Sequence, residues 1–552
     1  MQVTLRCSAR LLAAACSSLA VFVLYLSTLG QGFSEGDHAE LQLMPTINGI
    51  AHSPGYGSWA LIGKLFLLLP GLPPAQAMNL MTACFGAAAV FVAAYLASVW
   101  SGSLAAGVCA GLALGTTRIA WENSVVAEVY APQTFYVLGA FALFVLPRLE
   151  GKANPWPWWR AGALLAGWAI GYRPDSALVF IPCFAFVVIE TWREHRLAKL
   201  VGLPLLALVG ALPSLLYLVL ADVRWNHPAS LYNLLRPYYE LAYDRLPERN
   251  SFYARHNADS LLHGNWFERF RWLYGCESVR WFYGATGWAD AWGELRKFVG
   301  VTFKQLGPVV LLLALYSLRG GRDQKRLPEV LAWVIFGAYL YSYVDLAITG
   351  QEYYYPPLWG LLCCLAVVGW TRLPRVPLPH RLNLFGDPPF GRTSLGIEAI
   401  RWLRTDFVRA LCMALLFLFP FTESARRWGA LREFSSGEAV RYHNKVVRAL
   451  AKNLPVDSVV VSAWGPGNAL LYALHVEERR GDVTVVCAPA EEKLEICSPV
   501  AAKYAGRPVF LYHWGATLHY FVPAGNGKPE RLVEGEVWYV NCPVCPEDAR
   551  FH

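Results

Sequence analysis

Long apolar blocks divide this chain, and short polar segments between them carry most of the charge. The blocks fall near residues 11–29, 76–100, 104–118, 133–146, 161–172, 177–190, 200–221, 299–318, 330–348, 357–370 and 407–420. A membrane crossing needs about 20 apolar residues, so the pattern predicts about eleven transmembrane helices. The run at 58–69 is too short to cross, and is expected to lie in or dip into the interface. Arg6 and Arg10 precede the first block. A cleaved signal peptide has such flanks, but no small-x-small site follows and further spans come later, so a signal anchor is expected.

With the N-terminus inside, the basic short loops fall on the cytoplasmic side: Arg148, Lys152 and Arg160; Arg193, Arg196 and Lys199; Arg319, Arg322, Lys325 and Arg326; and Arg372 through Arg404. Positive charge belongs there. The opposite side then receives the first loop (31–75), the loop at 118–132, Arg173-Pro-Asp175, a long loop at 222–297 and the end of the chain. From residue 444 the texture changes to alternating helical and β-rich runs, such as Asp457-Ser-Val-Val-Val-Ser-Ala and Asp482-Val-Thr-Val-Val. These predict a small βαβ-type unit. The expected division is a helical membrane domain at 1–422 and an α/β domain outside the cytoplasm at 423–552. Gly465-Pro-Gly467 lacks the three-glycine dinucleotide fingerprint and is read as a turn.

Composition agrees with a membrane protein: 552 residues, 55% hydrophobic and 16% charged. The 22 tryptophans and 27 tyrosines suit two membrane interfaces. The net charge of +8 reflects loop topology rather than a nucleic-acid surface. Most of the 13 cysteines lie in or beside apolar runs as small core residues. Cys542-Pro-Val-Cys545 has no thioredoxin context, and Cys487 and Cys497 do not make the second close pair of a zinc site. Outside the cytoplasm, disulfides among these four are expected, with pairing open.

The candidate chemistry begins in the first loop. Asp37 and Glu40 are three apart and share a helix face, with His38 between them. Gly49-Ile-Ala-His52-Ser-Pro54-Gly55-Tyr56 follows, rigid turn chemistry next to the acids. The next outer loop carries Arg118 and Glu128-Val-Tyr130-Ala. Arg173-Pro-Asp175 stands between two apolar runs, where ionisable groups are expensive. The 222–297 loop interleaves tryptophan and arginine, the composition of a membrane-hugging amphipathic helix or of a sugar- or phosphate-binding edge. Gln351-Glu-Tyr-Tyr-Tyr355 reads as an interfacial aromatic belt.

Asp37-x-x-Glu40 with Gly49-Ile-Ala-His52-x-Pro54-Gly55-Tyr56 resembles the first-loop signature of a family of GT-C glycosyltransferases. That family includes a vertebrate protein O-mannosyltransferase acting on plexin-type domains and many uncharacterised bacterial members. Glu128-Val-Tyr130-Ala resembles its second outer loop, and Asn226-His227-Pro228 its polar motif after the mid-chain span. Ser53 stands where the family has proline, and His38 where a small residue is usual. The resemblance implies a GT-C-like polytopic fold. It also implies sugar transfer, mannose being one candidate, from a polyprenyl-phosphate donor to a protein or glycan acceptor. No cofactor is expected and no metal-ligating residues are singled out, with metal dependence left open because the acids show no clear metal-ligand spacing. The partners are membrane lipid, donor and acceptor, without nucleic acid. Asp37 is then the catalytic base, and Glu40 supports it or orients the acceptor. Arg118 and Arg173 are candidates for holding the leaving phosphate, where negative charge develops. His38, His52, Tyr56, Glu128, Tyr130, Asn226 and His227 are expected to shape the binding site. A bacterial inner membrane, with the site outside the cytoplasm, is the expected setting.

Two other classes remain. A lipid-linked glycan transporter or flippase predicts mid-span charges and inverted repeats, and neither is visible in this sequence. A non-enzymatic scaffold leaves the first-loop acids without a role.

Overall fold

The computed structural model describes residues 2–192, 197–225, 238, 240–241, 260, 262–276, 288–319, 326–344, 351–373, 407–488, 496–512, 517–522 and 531–539. Among these, eight helices are long and apolar enough to cross a membrane. They are Cys7–Ser27, Pro74–Ser101, Tyr130–Leu149, Pro174–Thr191, Gly202–Asp222, Asp290–Tyr316, Leu327–Val344 and Val408–Arg426. A ninth forms if α5 (Leu104–Gly115) and α6 (Arg118–Val125), bent by 65°, are one broken span.

The expected count of about eleven is therefore not reached among the described residues. Two of the expected crossings are helices of 17 and 16 residues: α8 (Trp156–Tyr172) and Pro356–Thr371. Both fall short of about 20 residues. The second is buried at every position from Pro356 to Trp370, so protein rather than lipid surrounds it. An all-apolar helix suits that place.

Where helices meet most closely, glycine makes it possible. A Cβ on Gly167 of α8 would lie 1.8 Å from the Ala207 carbonyl, and one on Gly210 would lie 2.1 Å from that of Leu164. Gly369 meets the Leu313 carbonyl in the same way, at 1.8 Å. Small residues let backbones approach like this in membrane bundles. The opposite side of the Gly202–Trp225 helix exposes Leu205, Leu208, Leu212 and Leu216, a helically spaced apolar stripe facing outward.

The polar ends build the rest. α1 (Gln2–Ser27) leads into the first loop, which holds α2 (Asp37–Ile47) and α3 (Gly57–Phe66). α3 buries Gly57 to Ala60 and leaves Leu65 exposed, with Leu68 exposed just beyond it, as expected of a short interfacial helix. α4 (Pro74–Ser101) follows. The segment 118–125, expected as loop, is the buried two-turn α6. Its Arg118 and Glu122 pair one turn apart at 2.5 Å, which supports a short helix locally. α7 (Tyr130–Leu149) accordingly starts at Tyr130, earlier than the apolar run suggests. In the 222–297 loop, the helix Trp266–Tyr274 begins with an Asn265/Glu268 capping box. It exposes Trp266 and Phe267 while burying Trp272 and Leu273.

The C-terminal part forms a five-stranded sheet in the order β2-β1-β3-β4-β5. The strands are β1 (Val459–Ala463), β2 (Thr484–Ala488), β3 (Val509–Tyr512), β4 (Thr517–Val522) and β5 (Arg531–Tyr539). β2, β1 and β3 run parallel; β4 and β5 are antiparallel. β1 and β2 are joined through the helix Trp464–Tyr472, the anticipated βαβ arrangement. The expected turn at Gly465-Pro-Gly467 is instead this helix's first turn. Proline is tolerated there because its missing N–H would have had no intrahelical partner. The sheet is not a separate appendage. Val460 of β1, with Val446 of the helix Glu438–Asn453 and Leu470 of the helix Trp464–Tyr472, shares one apolar cluster with Phe33, Ala39 and Leu43 of the first loop.

Candidate active site

The first loop's backbone sets the acids. Gly36 caps α2 at φ 63°, ψ −138°, a conformation glycine adopts without a side-chain penalty. Asp37 and Glu40 then fall in the helix's first turn, where the helix dipole favours negative charge. Asn48 closes α2 in the left-handed conformation, and the chain returns through a cis Ser53–Pro54 peptide and Gly55 at φ 89°. The Gly55 N–H donates to the His52 carbonyl at 2.7 Å. This turn lays His52 back over the start of α2.

His52 meets both acids. Its backbone N–H donates to Glu40 Oε1 at 2.8 Å, and its Nδ1 lies 2.5 Å from Glu40 Oε2. Its Nε2 faces Asp37 Oδ2 at 3.9 Å. Glu40 is buried, whereas the Asp37 side chain is half-exposed. Trp464 Nε1 donates to Asp37 Oδ1 at 2.9 Å, from the far end of the sequence. His38 turns the other way, its Nδ1 3.0 Å from Glu128 Oε1 and 3.1 Å from the Ala127 carbonyl.

The charges follow from these contacts. Burial works against the Asp37 carboxylate, but His52, the Trp464 N–H and His38 outweigh it and hold the group below its usual range. Burial pushes Glu40 up, even against the pull of His52. Burial also disfavours charge on His52, yet the carboxylates of Asp37 and Glu40 carry it to about 9. His38 is raised as well, with Glu128 outweighing burial. At neutral pH the centre is an ionised Asp37 beside an imidazolium whose other nitrogen is held by Glu40.

A second group stands nearby. Arg173 is 8% exposed and pairs with Asp175 at 3.3 Å, while Gln133 Nε2 donates to Asp175 at 2.8 Å. The guanidinium stacks 4.9 Å from the Tyr354 ring centroid and 5.6 Å from that of Tyr130. Its Nη1 is buried without a hydrogen-bond partner. Tyr56 links the groups, its ring 5.4 Å from His52 and 5.9 Å from Tyr172, with Asp37 and Arg173 both near enough to act on it.

Most of the expected residues thus converge: Asp37, His38, Glu40, His52, Tyr56, Glu128, Tyr130 and Arg173. Arg118 does not join them. Its guanidinium pairs with Glu122, and among the described residues no hydrogen bond or ion pair ties it to the Asp37 cluster. Asn226 and His227 lie outside the described residues, as do Cys542 and Cys545. Cys487 and Cys497 are both buried. Trp464, Gln133 and Tyr354 are additions; nothing in local sequence ties Trp464 to a loop 427 positions away. Tyr354 lay in a stretch read as an aromatic belt. The sequence reading names no metal ligands, yet Asp37, Glu40 and His52 bring three ligand atoms within 4.8 Å of one another. Two carboxylates and an imidazole are donors a divalent cation accepts.

Fold and site together define a multispanning helical membrane protein of GT-C-like architecture. The crystal structures of ArnT from Cupriavidus metallidurans, bound to undecaprenyl phosphate and in the apo state, superpose with a TM-score of 0.55 at 14% identity. Each match covers 91% of this chain and 92% of that one. Residues 37–197 match the family model of the Protein O-mannosyl-transferase TMEM260 N-terminal domain. The mouse Protein O-mannosyl-transferase TMEM260 is 35% identical over 130 residues, 23% of this chain and 18% of that protein. The chain therefore matches less than a fifth of that relative's length. Residues 37–197, matched by the family model, include Asp37, Glu40, His52, Glu128 and Arg173.

Proposed function

We propose that this protein is a glycosyltransferase that moves a sugar from a polyprenyl-phosphate carrier to a hydroxyl group of a protein or glycan, outside the cytoplasm. Mannose is the sugar suggested by the relationship of residues 37–197 to the O-mannosyl-transferase domain. A bacterial inner membrane is the proposed setting. The observation that carries the reading is the half-exposed Asp37 carboxylate, held ionised at the mouth of a buried Glu40–His52 pair.

In the proposed reaction the acceptor hydroxyl oxygen attacks the anomeric carbon. The bond from that carbon to the phosphate oxygen breaks, and its electrons leave with the polyprenyl phosphate. Asp37 takes the hydroxyl proton as the new bond forms. Glu40 holds His52, and the imidazolium keeps Asp37 deprotonated and in place. Arg173 supplies positive charge toward the departing phosphate, where negative charge grows; Asp175 offsets part of it. Tyr56 and Tyr130 wall the space between these groups.

Purified protein in liposomes, given radiolabelled polyprenyl-phosphate mannose and membrane-extracted acceptors, tests the assignment. Label should pass to an acceptor only when donor and protein are both present. Movement of the lipid-linked sugar across the bilayer without transfer would instead identify a flippase.

A further inference from the structure

The strand β1 lies between β2 and β3, buried from Val459 to Ser462. It ends directly at Trp464. Ligand-facing groups in parallel sheets gather beyond the carboxyl ends of strands, and here that end is pressed against the acidic loop. The Gly36 N–H donates to the Gly465 carbonyl at 3.4 Å, and Asn468 Nδ2 donates to the Gly36 carbonyl at 3.1 Å. Farther along the same helix, the Tyr472 hydroxyl accepts from the Ala75 N–H at 3.0 Å. The residue preceding Asp37 is therefore clamped by the helix turn that presents Trp464.

We propose that Trp464 is a positioning residue for sugar transfer: its indole N–H holds Oδ1 of Asp37 and leaves Oδ2 turned toward His52 and the acceptor hydroxyl. The α/β unit thereby completes a centre that the membrane helices only begin. This rests on the reading of Asp37 as the base. The two oxygens are inequivalent in the structure, one 2.9 Å from the indole nitrogen and the other 3.9 Å from His52 Nε2. The Trp464 ring also stands edge-on to His52, with centroids 6.2 Å apart and planes at 80°. One side chain thus touches both halves of the acid–imidazolium pair.

Trp464→Phe keeps a ring against His52 and removes the donor. Hydrogen bonds to charged groups are strong enough that the transfer rate should fall about tenfold. The acid limb of its pH profile should move upward, because a carboxylate that loses a donor is easier to protonate. KM for the polyprenyl-phosphate donor should stay unchanged. Trp464→His, which can offer an N–H, should recover part of the rate and return the limb toward its original position. A wild-type rate and profile in Trp464→Phe overturns the proposal, and so does a lost rate with an unmoved acid limb, which marks a merely structural role. If Trp464→Phe does not fold, indole nitrogen-15 NMR of the native chain decides. One indole signal should titrate in the native protein and not in Asp37→Asn; identical behaviour in both overturns the inference. Full transfer by Asp37→Asn would instead sink the underlying reading. An inactive Asp37→Asn beside an unaffected Trp464→Phe sinks only this one.

Discussion

His52 meets two carboxylates at once, and its pH response follows from that. Its pKa stands at about 9 against an ordinary 6.5. A raised pKa means that the stabilisation is complete below about 6.5 and is lost as pH rises through about 9. The native melting temperature should therefore drop across that window, and the drop should flatten in His52→Gln. Calorimetry in detergent between pH 6 and 9.5 checks this; equal slopes for the two proteins would refute it. Glu35 behaves differently. Burial lifts its carboxyl to about 7 and pushes the facing His443, 3.1 Å away, down to about 4. Near pH 6 this is a neutral hydrogen bond, so Glu35→Gln should preserve it and leave transfer nearly unchanged. The sequence made Asp37, Glu40 and His52 legible as a group, because acids at i and i+3 and a rigid turn are local features. That Glu40 spends both oxygens on His52 was not legible, since it depends on how the turn folds back.

At the level of elements, the bundle depends on glycines that leave no room for a side chain. Gly167→Val and Gly369→Val would drive methyl groups into the Ala207 and Leu313 carbonyls. Overpacking of this kind costs about 1–3 kcal/mol, and more where backbone must move. Both variants should lose folded yield in fluorescence-detected size exclusion, whereas Gly300→Ala, with open space around it, should not. Sequence periodicity found nearly every apolar helix but misjudged two kinds. α6 was hidden because Arg118, Glu122 and Asn123 make its sequence polar, although α6 is buried from Ile119 to Val125. Pro356–Thr371 was read as an ordinary crossing because hydropathy does not distinguish a lipid-facing surface from a protein interior, whereas α8 keeps Leu164 exposed and is only shorter than a typical span. β4 escaped for a simpler reason: nothing in the sequence reading marked Thr517–Val522 as a strand.

Across the whole molecule, both motif loops, the Arg173 turn and the α/β unit gather at one end of the bundle. Positive-inside loops predict that this end faces away from the cytoplasm. In a cysteine-free background, Glu478→Cys should react with an impermeant reagent from outside, and Lys152→Cys should not; labelling of both from one side would contradict this topology. The joining of residue 37 to residue 464 could not be read from either motif, because a contact between distant segments exists only once the chain has folded. The central claim concerns Asp37, and the rate of sugar transfer from a polyprenyl-phosphate donor by Asp37→Asn, set against Glu40→Gln and Glu35→Gln, tests it most directly. Losing a general base costs on the order of 10²–10⁴ in rate, so Asp37→Asn should fall by that much, Glu40→Gln by less and Glu35→Gln least, all at equal folded yield. Full transfer by Asp37→Asn with an inactive Glu40→Gln would reverse the roles of the two acids, and normal transfer by both would place the reaction centre elsewhere.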